Sequence, residues 1–329
     1  AERTSTMAYF VDTDLMPATP WPAPYNPQIA YFGYPGLMAP LPVETISMKF
    51  AGAEPTIKTA IDGTKWAYAP VRTGAPRREW SISLTAPESV AQALQDQFNG
   101  LWGAGSSTKL GGWQFLPPLA GRNMLTYDES VLTHIDTYDG DYRMGSQSGR
   151  QVFQAFDSSA YRTQTRKTTD DYVTIGTKIP VFPGAVVKVV GWWSKNPKIQ
   201  FNTYNQYGNA GQTFIPQVKP LDNPEWLDWR ESAAIDIPVQ NVASIDVVFS
   251  LREDFHLLEP RVIMAPATDE YIFRPTDPTL RQAQVRGSRA LSVIVTDINV
   301  TPVWYPTAAA THSVGEPLYE VTAKITELG

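Results

Sequence analysis

The sequence predicts a mainly β protein: a β-barrel or sandwich with one flanking α-helix, plus an inserted jelly-roll β-sandwich domain. Two observations carry that prediction. Apolar residues recur at every second position over short runs, the period of a strand with one buried face. The chain also holds 28 prolines with 13 Phe, 10 Trp and 15 Tyr, a composition that suits many short strands joined by turns better than long helices.

Length and charge narrow the function classes. At 329 residues the chain exceeds one minimal core, and two domains are expected. Its net charge of −6 includes no run of Lys or Arg that could track a phosphate backbone, so direct nucleic-acid recognition is not expected. It has no cysteine, which removes disulfides, thiol nucleophiles and thiolate metal sites. No window approaches the roughly 18 apolar residues of a membrane span, and the start at Ala1 lacks the order of a signal peptide. The expectation is a soluble product of a cytoplasm.

Residues 1–42 form a Pro/aromatic N-terminal arm. Pro17, Pro20, Pro22, Pro24, Pro27, Pro35, Pro40 and Pro42 alternate with Trp21, Tyr25, Tyr31, Phe32 and Tyr34. Missing backbone donors argue against a central strand there. The apolar content argues for an arm docked on its own or a neighbouring subunit, and both remain open.

From Val43 the alternation starts: Ile46, Met48 and Phe50, then Trp66 and Tyr68, then Trp80, Ile82 and Leu84, with turns at Asp62-Gly63 and Gly74-Ala75-Pro76. One helix is expected at about 86–101. Thr85 and Glu88 have capping-box spacing, and Val90, Leu94, Phe98 and Leu101 share a face, with Gly100 and Gly103 at the end. After the Gly/Ser-rich 102–112 stretch, Trp113 to Leu116 reads as a short strand closed by Pro117-Pro118.

Residues 128–286 carry a second set of strands, clearest at Tyr172 to Ile175, Ala185 to Trp193, Ile199 to Tyr204, Ile235 to Val239 and Ile245 to Leu251. Such runs suggest a two-sheet sandwich or jelly roll. Strand character returns at Leu291, Val293 and Val295. It returns again at the end, where Tyr319, Val321, Ala323 and Ile325 face one way and Glu320, Thr322, Lys324 and Thr326 the other. So regular a last strand would fray unless paired. Pairing it with residues 43–127 makes 128–286 an insertion in a domain of 43–127 and 287–329.

Four segments carry a family resemblance: Gln97 to Gly103, Trp113 to Pro118, Arg122 to Thr126, and Tyr319 to Gly329. Together they resemble distal or minor tail proteins of long, non-contractile-tailed bacteriophages. In the middle, Ile179 to Ala185, Gly191-Trp192-Trp193 and Phe201 to Gly208 resemble a galectin-like or carbohydrate-binding-module jelly roll.

The resemblance implies a structural virion protein of the tail tip, synthesised in the bacterial cytoplasm. It would form a ring, a homohexamer, that connects the tail tube to the tip and lines the channel for genome passage. Its partners would be copies of itself, the tube protein, hub and receptor-binding proteins, and a host surface glycan. The long arm before Val43 departs from that pattern and leaves a minor tail protein elsewhere in the tip as an alternative. Two other readings compete: a carbohydrate-binding adhesin acting through the jelly roll, and a tail-associated polysaccharide hydrolase.

Catalytic signals are sparse. His134, His256 and His312 stand far apart, with no second histidine at ligand spacing. Asp136, Asp139 and Asp141 around Gly140 fit a plain turn better than a calcium loop, since no distant bidentate Glu completes the pattern. The acidic pairs Glu253-Asp254 and Asp269-Glu270 are the carboxylates a glycosidase would use, but neighbours on a strand point apart. No nucleophile elbow or phosphate loop appears. The reading therefore assigns no enzyme activity, catalytic residue, cofactor or metal.

The candidate carbohydrate or interface aromatics are Trp192, Trp193, Tyr204, Tyr207, Trp226 and Trp229. An aromatic face stacks on the apolar face of a pyranose, and the same rings equally suit a core or a subunit interface. Of adjacent Trp192 and Trp193, only one can point into a core.

Overall fold

A computed structural model describes residues 25–26, 28–35, 37–51, 56–59, 65–68, 77–99, 113–118, 122–130, 132, 137–139, 141–147, 150–156, 171–194, 197–205, 207–218, 228–232, 235–236, 242–251, 255–266, 284, 287–304 and 317–328. In chain order, β1 (Ala30–Tyr34), β2 (Leu37–Leu41), β3 (Val43–Ala51), β4 (Thr56–Thr59), β5 (Lys65–Tyr68) and β6 (Arg77–Pro87) lead into helix α1 (Glu88–Phe98). Then come β7 (Gln114–Leu116), β8 (Arg122–Asn123), the single-turn helix α2 (Tyr127–Ser130), β9 (Thr137–Asp139), β10 (Asp141–Gln147) and β11 (Arg150–Phe156). The longest central strands follow: β12 (Asp171–Pro180), β13 (Ala185–Trp193), β14 (Lys198–Tyr204), β15 (Ala210–Phe214), β16 (Asp228–Glu231), β17 (Ile235–Asp236), β18 (Ser244–Leu251) and β19 (Phe255–Pro266). The chain closes with β20 (Ala290–Leu291), β21 (Val293–Trp304) and β22 (Leu318–Glu327).

The predicted mainly β class holds, and the strand pairs described are antiparallel. Two sheets stack as a sandwich of the jelly-roll type. One runs β10-β11-β19-β13-β16, with β17 and β8 attached, and the other β15-β14-β18-β12-β9. Inward residues Val187, Val189, Trp193, Val262 and Met264 of the first meet Val173, Ile175, Phe201, Val247 and Phe249 of the second in one core. Burying each such side chain contributes about 1.5–3 kcal/mol.

A separate sheet, β21-β22-β6-β3, builds the other core. β22 lies inside it between β21 and β6, which anchors a strand that would otherwise fray. Val321, Ala323 and Ile325 are buried while Glu320 and Thr322 are exposed, the alternation expected from the sequence. Helix α1 packs chiefly on β21 and also on β6 and β22, burying Ala91 and Leu94.

The helix start differs from the sequence expectation. Thr85, Ala86 and Pro87 continue β6 by pairing with Glu320, Tyr319 and Leu318, and the Glu88 N–H donates to the Pro317 carbonyl at 3.0 Å. The sheet ladder has taken the place of a Thr85 cap, and Phe98, expected inside, is 44% exposed. A reciprocal capping box forms instead at α2: Thr126 N–H donates to Glu129 Oε2 at 2.6 Å, and Glu129 N–H donates to Thr126 Oγ1 at 3.2 Å.

The proline content of residues 16–42 argues against a central strand, and here the structure corrects the reading. β1 sits between β2 and β7 in a four-stranded sheet, β2-β1-β7-β20. Its own residues, Ala-Tyr-Phe-Gly-Tyr, include no proline. Pro35 stands in the connection and Pro40 in the edge strand β2, where a missing donor is tolerated. Residues 1–24 of the arm lie outside the described residues, as do Leu101, Gly103 and the 102–112 stretch.

This small sheet is the wall between the two cores. Ala30, Phe32, Phe115 and Ala290 pack with α1 and the β21-β22-β6-β3 sheet, while Tyr31 and Leu116 join the sandwich core. Period two along β1 and β7 sends neighbouring residues to opposite faces. Tyr31 reaches Phe182 in the β12–β13 turn with ring centroids 4.4 Å apart.

Candidate functional site

Of the six candidate aromatics, those that are described fall on different faces of the two sheets. Trp193 is fully buried in the sandwich core, edge-on to Phe249 at 5.6 Å. Trp192, half-buried, points to the other face of the same sheet, with β16 bringing Trp229 opposite it in register. Tyr204 ends β14 on the second sheet, half-buried. Tyr207 is 66% exposed at the tip of the β14–β15 hairpin. Trp226 lies outside the described residues.

The face that gathers binding chemistry is the outer side of the β15-β14-β18-β12-β9 sheet. Along β14, Ile199, Phe201 and Thr203 are buried, so Lys198, Gln200, Asn202 and Tyr204 point outward. Register sets Tyr172, Ser250 and Lys198 in one row across the strands, Thr174, Val248 and Gln200 in a second, and Asp246, Asn202 and Thr213 in a third, with Thr174, Val248 and Ser250 themselves buried. Tyr172 is 43% exposed on this face.

At one end of this face lies a three-residue cluster. β12 bulges between Gly176 and Ile179, which puts Lys178 in the left-handed region at φ 48°. The Lys178 N–H donates to Asp246 Oδ1 at 2.7 Å, and the Tyr204 hydroxyl donates to Asp246 Oδ2 at 2.7 Å. The Lys178 ammonium lies over the Tyr204 ring, 2.9 Å from its centroid, a cation–π contact. Burial pulls the Lys178 ammonium below the usual lysine value, with Asp246 opposing. Burial, then the hydrogen bond and charge of Asp246, push the Tyr204 phenol up to about 12.

The bulge is held from behind by the connection between the two cores. Arg289 donates from Nη1 to the Thr177 carbonyl at 3.0 Å, and Gln114 Nε2 donates to the Lys178 carbonyl at 3.2 Å. Arg289 itself pairs with buried Glu129. The face therefore carries exposed Tyr172 in the row of Lys198 and, about 20 Å further along the strands, half-buried Tyr204 with the ammonium and the carboxylate, the Gln200 and Asn202 amides lying between. That set can stack on the apolar side of a polyhydroxylated ligand and hydrogen-bond its rim.

Sequence reasoning found Tyr204 and Tyr207 and missed Tyr172, Lys178, Gln200, Asn202 and Asp246. The alternation along β14 could have shown Gln200 and Asn202. Nothing in the sequence marks the bulge that brings Lys178 to Asp246.

Of the residues weighed for catalysis or a metal, His256, Asp139 in β9 and Asp141 in β10 are among those described. His256 is bonded to Ser194, its Nδ1 3.2 Å from Ser194 Oγ. His134, His312, Asp136, Gly140, Glu253-Asp254 and Asp269-Glu270 lie outside the described residues. Among the described residues no three His, Asp or Glu side chains are grouped to hold a metal ion, and no helix is long and apolar enough to cross a membrane.

No protein-family model matches the chain, and no curated protein matches it. Solved structures do. Part of the chain is similar to the CBM22-1 and GH10 modules of endo-1,4-beta-D-xylanase 10B from Clostridium thermocellum, complexed with xylohexaose: 12% identity and TM-score 0.29, over 46% of this chain and 29% of that one. The tandem CBM22-1–CBM22-2 domain of Paenibacillus barcinonensis Xyn10C matches at 14% identity and TM-score 0.31, over 49% of each chain. The enzymatically active domain of tailspike protein 4 of bacteriophage CBA120 matches at 12% identity and TM-score 0.28, over 45% of this chain and 21% of that one. This chain thus spans half or less of the length of these three. Similarity at that level leaves the functional argument to the geometry above.

Proposed function

We propose that this chain is a carbohydrate-binding protein that acts by binding and not by catalysis, through the outer face of the β15-β14-β18-β12-β9 sheet. The observation that carries the reading is the Lys178–Tyr204–Asp246 cluster on the same face as exposed Tyr172. The backbone at Lys178 is strained, and strained positions of this kind cluster at binding and active sites. Carbohydrate-binding modules among the similar structures agree with this reading without carrying it. Affinity electrophoresis of the full chain in gels cast with bacterial polysaccharides tests it. Retarded migration is expected, and loss of retardation in Tyr172→Ala or Asn202→Ala assigns it to this face.

A second reading, favoured by a different observation, adds assembly. Ile46, Met48 and Phe50 are 37%, 49% and 50% exposed on β3 at the edge of its sheet. Alternating bare apolar residues on an edge strand mark a contact surface. The opposite face of that sheet is polar, with a depression of about 390 Å³ lined by Ser47, Ser81, Ser83, Thr322, Asp297 and Lys324 among others. A subunit that adds edge to edge, with one packed face and one wet face, suits a ring around an aqueous channel. We propose that this ring is the tail-tip ring that the resemblance to tail proteins of long, non-contractile-tailed bacteriophages implies, with the sandwich displayed outward toward host glycan and tube and hub proteins as neighbours. Light scattering of the purified chain tests the assembly, with a mass above the monomer expected.

A further inference from the structure

The geometry points to a specific head-to-tail contact between copies of this chain: β3 of one copy pairs antiparallel with β21 of a second copy, with Ser47 opposite Asn299. The inference rests on the assembly reading and names the partner surface that reading leaves open.

β3 and β21 are the two edges of the β21-β22-β6-β3 sheet, and among the described residues neither has a strand on its outer side. The middle of each edge, residues 45–48 and 298–301, carries no charge and no proline, and the charges that border it at one end, Lys49 and Asp297, are of opposite sign. Four strands alternate in direction across the sheet, so β3 meets the next copy's β21 antiparallel and the alternation continues unbroken.

Helix α1 lies chiefly over β21, at one end of the apolar face. At the β3 end, Ile46, Met48 and Phe50 point to that same face, since they pair with Ile82, Trp80 and Arg78, yet stay exposed. Joining the edges carries a helix from the second copy toward the bare end, where its exposed Phe98 adds apolar surface.

The register follows from both faces. With Ser47 opposite Asn299, Ile46 meets Val300 and Met48 meets Ile298 on the apolar side, while Thr45 meets Thr301 and Lys49 meets Asp297 on the polar side. Lys49 already pairs with Glu79 at 2.8 Å and Asp297 with Lys324 at 3.0 Å. The junction therefore completes a row of alternating charge, Glu79–Lys49 followed by Asp297–Lys324 of the second copy. Sliding by two residues separates Lys49 from Asp297 and sets Ile46 against Pro302 or Met48 against Thr296.

The chain's lack of cysteine makes the contact directly testable by cross-linking. Ser47 and Asn299 are exposed, so cysteines are tolerated at both. Within one copy they stand three strand spacings apart, about 14 Å, beyond the reach of a disulfide. Mild oxidation of the full-length Ser47→Cys/Asn299→Cys variant is expected to give a ladder of covalent multimers. Each single variant alone is expected to give none, and a mixture of the two singles only dimers. A covalent dimer from Ser47→Cys alone overturns the proposal in favour of a two-fold β3–β3 edge. Multimers by light scattering without any cross-link overturn the edge pairing while leaving the assembly reading standing. A monomer at every concentration overturns both.

Discussion

The guanidinium of Arg289 holds both carboxylate oxygens of Glu129, at 3.0 and 2.9 Å, with the two side chains 0% and 2% exposed. Glu129 belongs to the segment entering the sandwich and Arg289 to the segment leaving it. The crossings are tied further by Ser288 N–H to the Asn123 carbonyl at 3.0 Å and Gly287 N–H to Ser130 Oγ at 2.8 Å. The same arginine supports the Lys178 bulge, so the joint between cores and the candidate binding face share one anchor.

Removing one partner strands a buried charge. Glu129→Gln or Arg289→Met is expected to cost about 3–5 kcal/mol in urea unfolding, and the double Glu129→Gln/Arg289→Met variant less than the sum of the two. Additive losses would mean that the pair is not the unit.

Gly287 passes directly beneath the Leu125 and Thr126 carbonyl oxygens, and a Cβ at this position would overlap them. Both neighbours are backbone and cannot swing aside. Gly287→Ala is expected to lower stability by more than about 4 kcal/mol or to prevent folding, judged by the yield of soluble protein and its denaturant midpoint. A midpoint equal to the parent's would contradict the tight crossing.

Two of the candidate aromatics separate by stability. Trp193→Ala empties the sandwich core and is expected to cost about 3–5 kcal/mol. Tyr207→Ala, on an exposed hairpin tip, is expected to stay within about 0.5 kcal/mol of the parent. Equal losses for the two would contradict the placement of Trp193.

Tyr204 gives a pH signature. Its folded value of about 12 lies above the usual 10, so the folded state keeps a proton that the unfolded state releases. Its stabilising contribution is therefore complete below pH about 10 and is lost as pH rises through about 12. Phenolate absorbance during alkaline titration should lose one late-ionising component in Tyr204→Phe. An unchanged titration would contradict the Tyr204–Asp246 bond.

The legible parts of the fold were those set by period. Ala185 to Trp193 is a strand with the limits its run of apolar residues suggests, and Val321, Ala323 and Ile325 turn inward as their spacing predicts. β1 escaped because prolines on either side masked a proline-free core of five residues, and its partner β7 lies some eighty residues away. The Thr85 cap failed because residues from the far end of the chain pair with that strand. Of the site, aromatic rings could be named but not placed. The cluster that organises the face depends on a bulge at Lys178 and on Arg289, more than a hundred residues distant.

The most direct test of the central claim is a glycan array probed with the full chain and with Tyr172→Ala and Asn202→Ala, each shown to be folded. The account predicts binding to at least one class of polysaccharide by the parent, reduced by a factor of about ten or more in both variants. Binding unchanged in both variants, or no binding to any glycan, would contradict it.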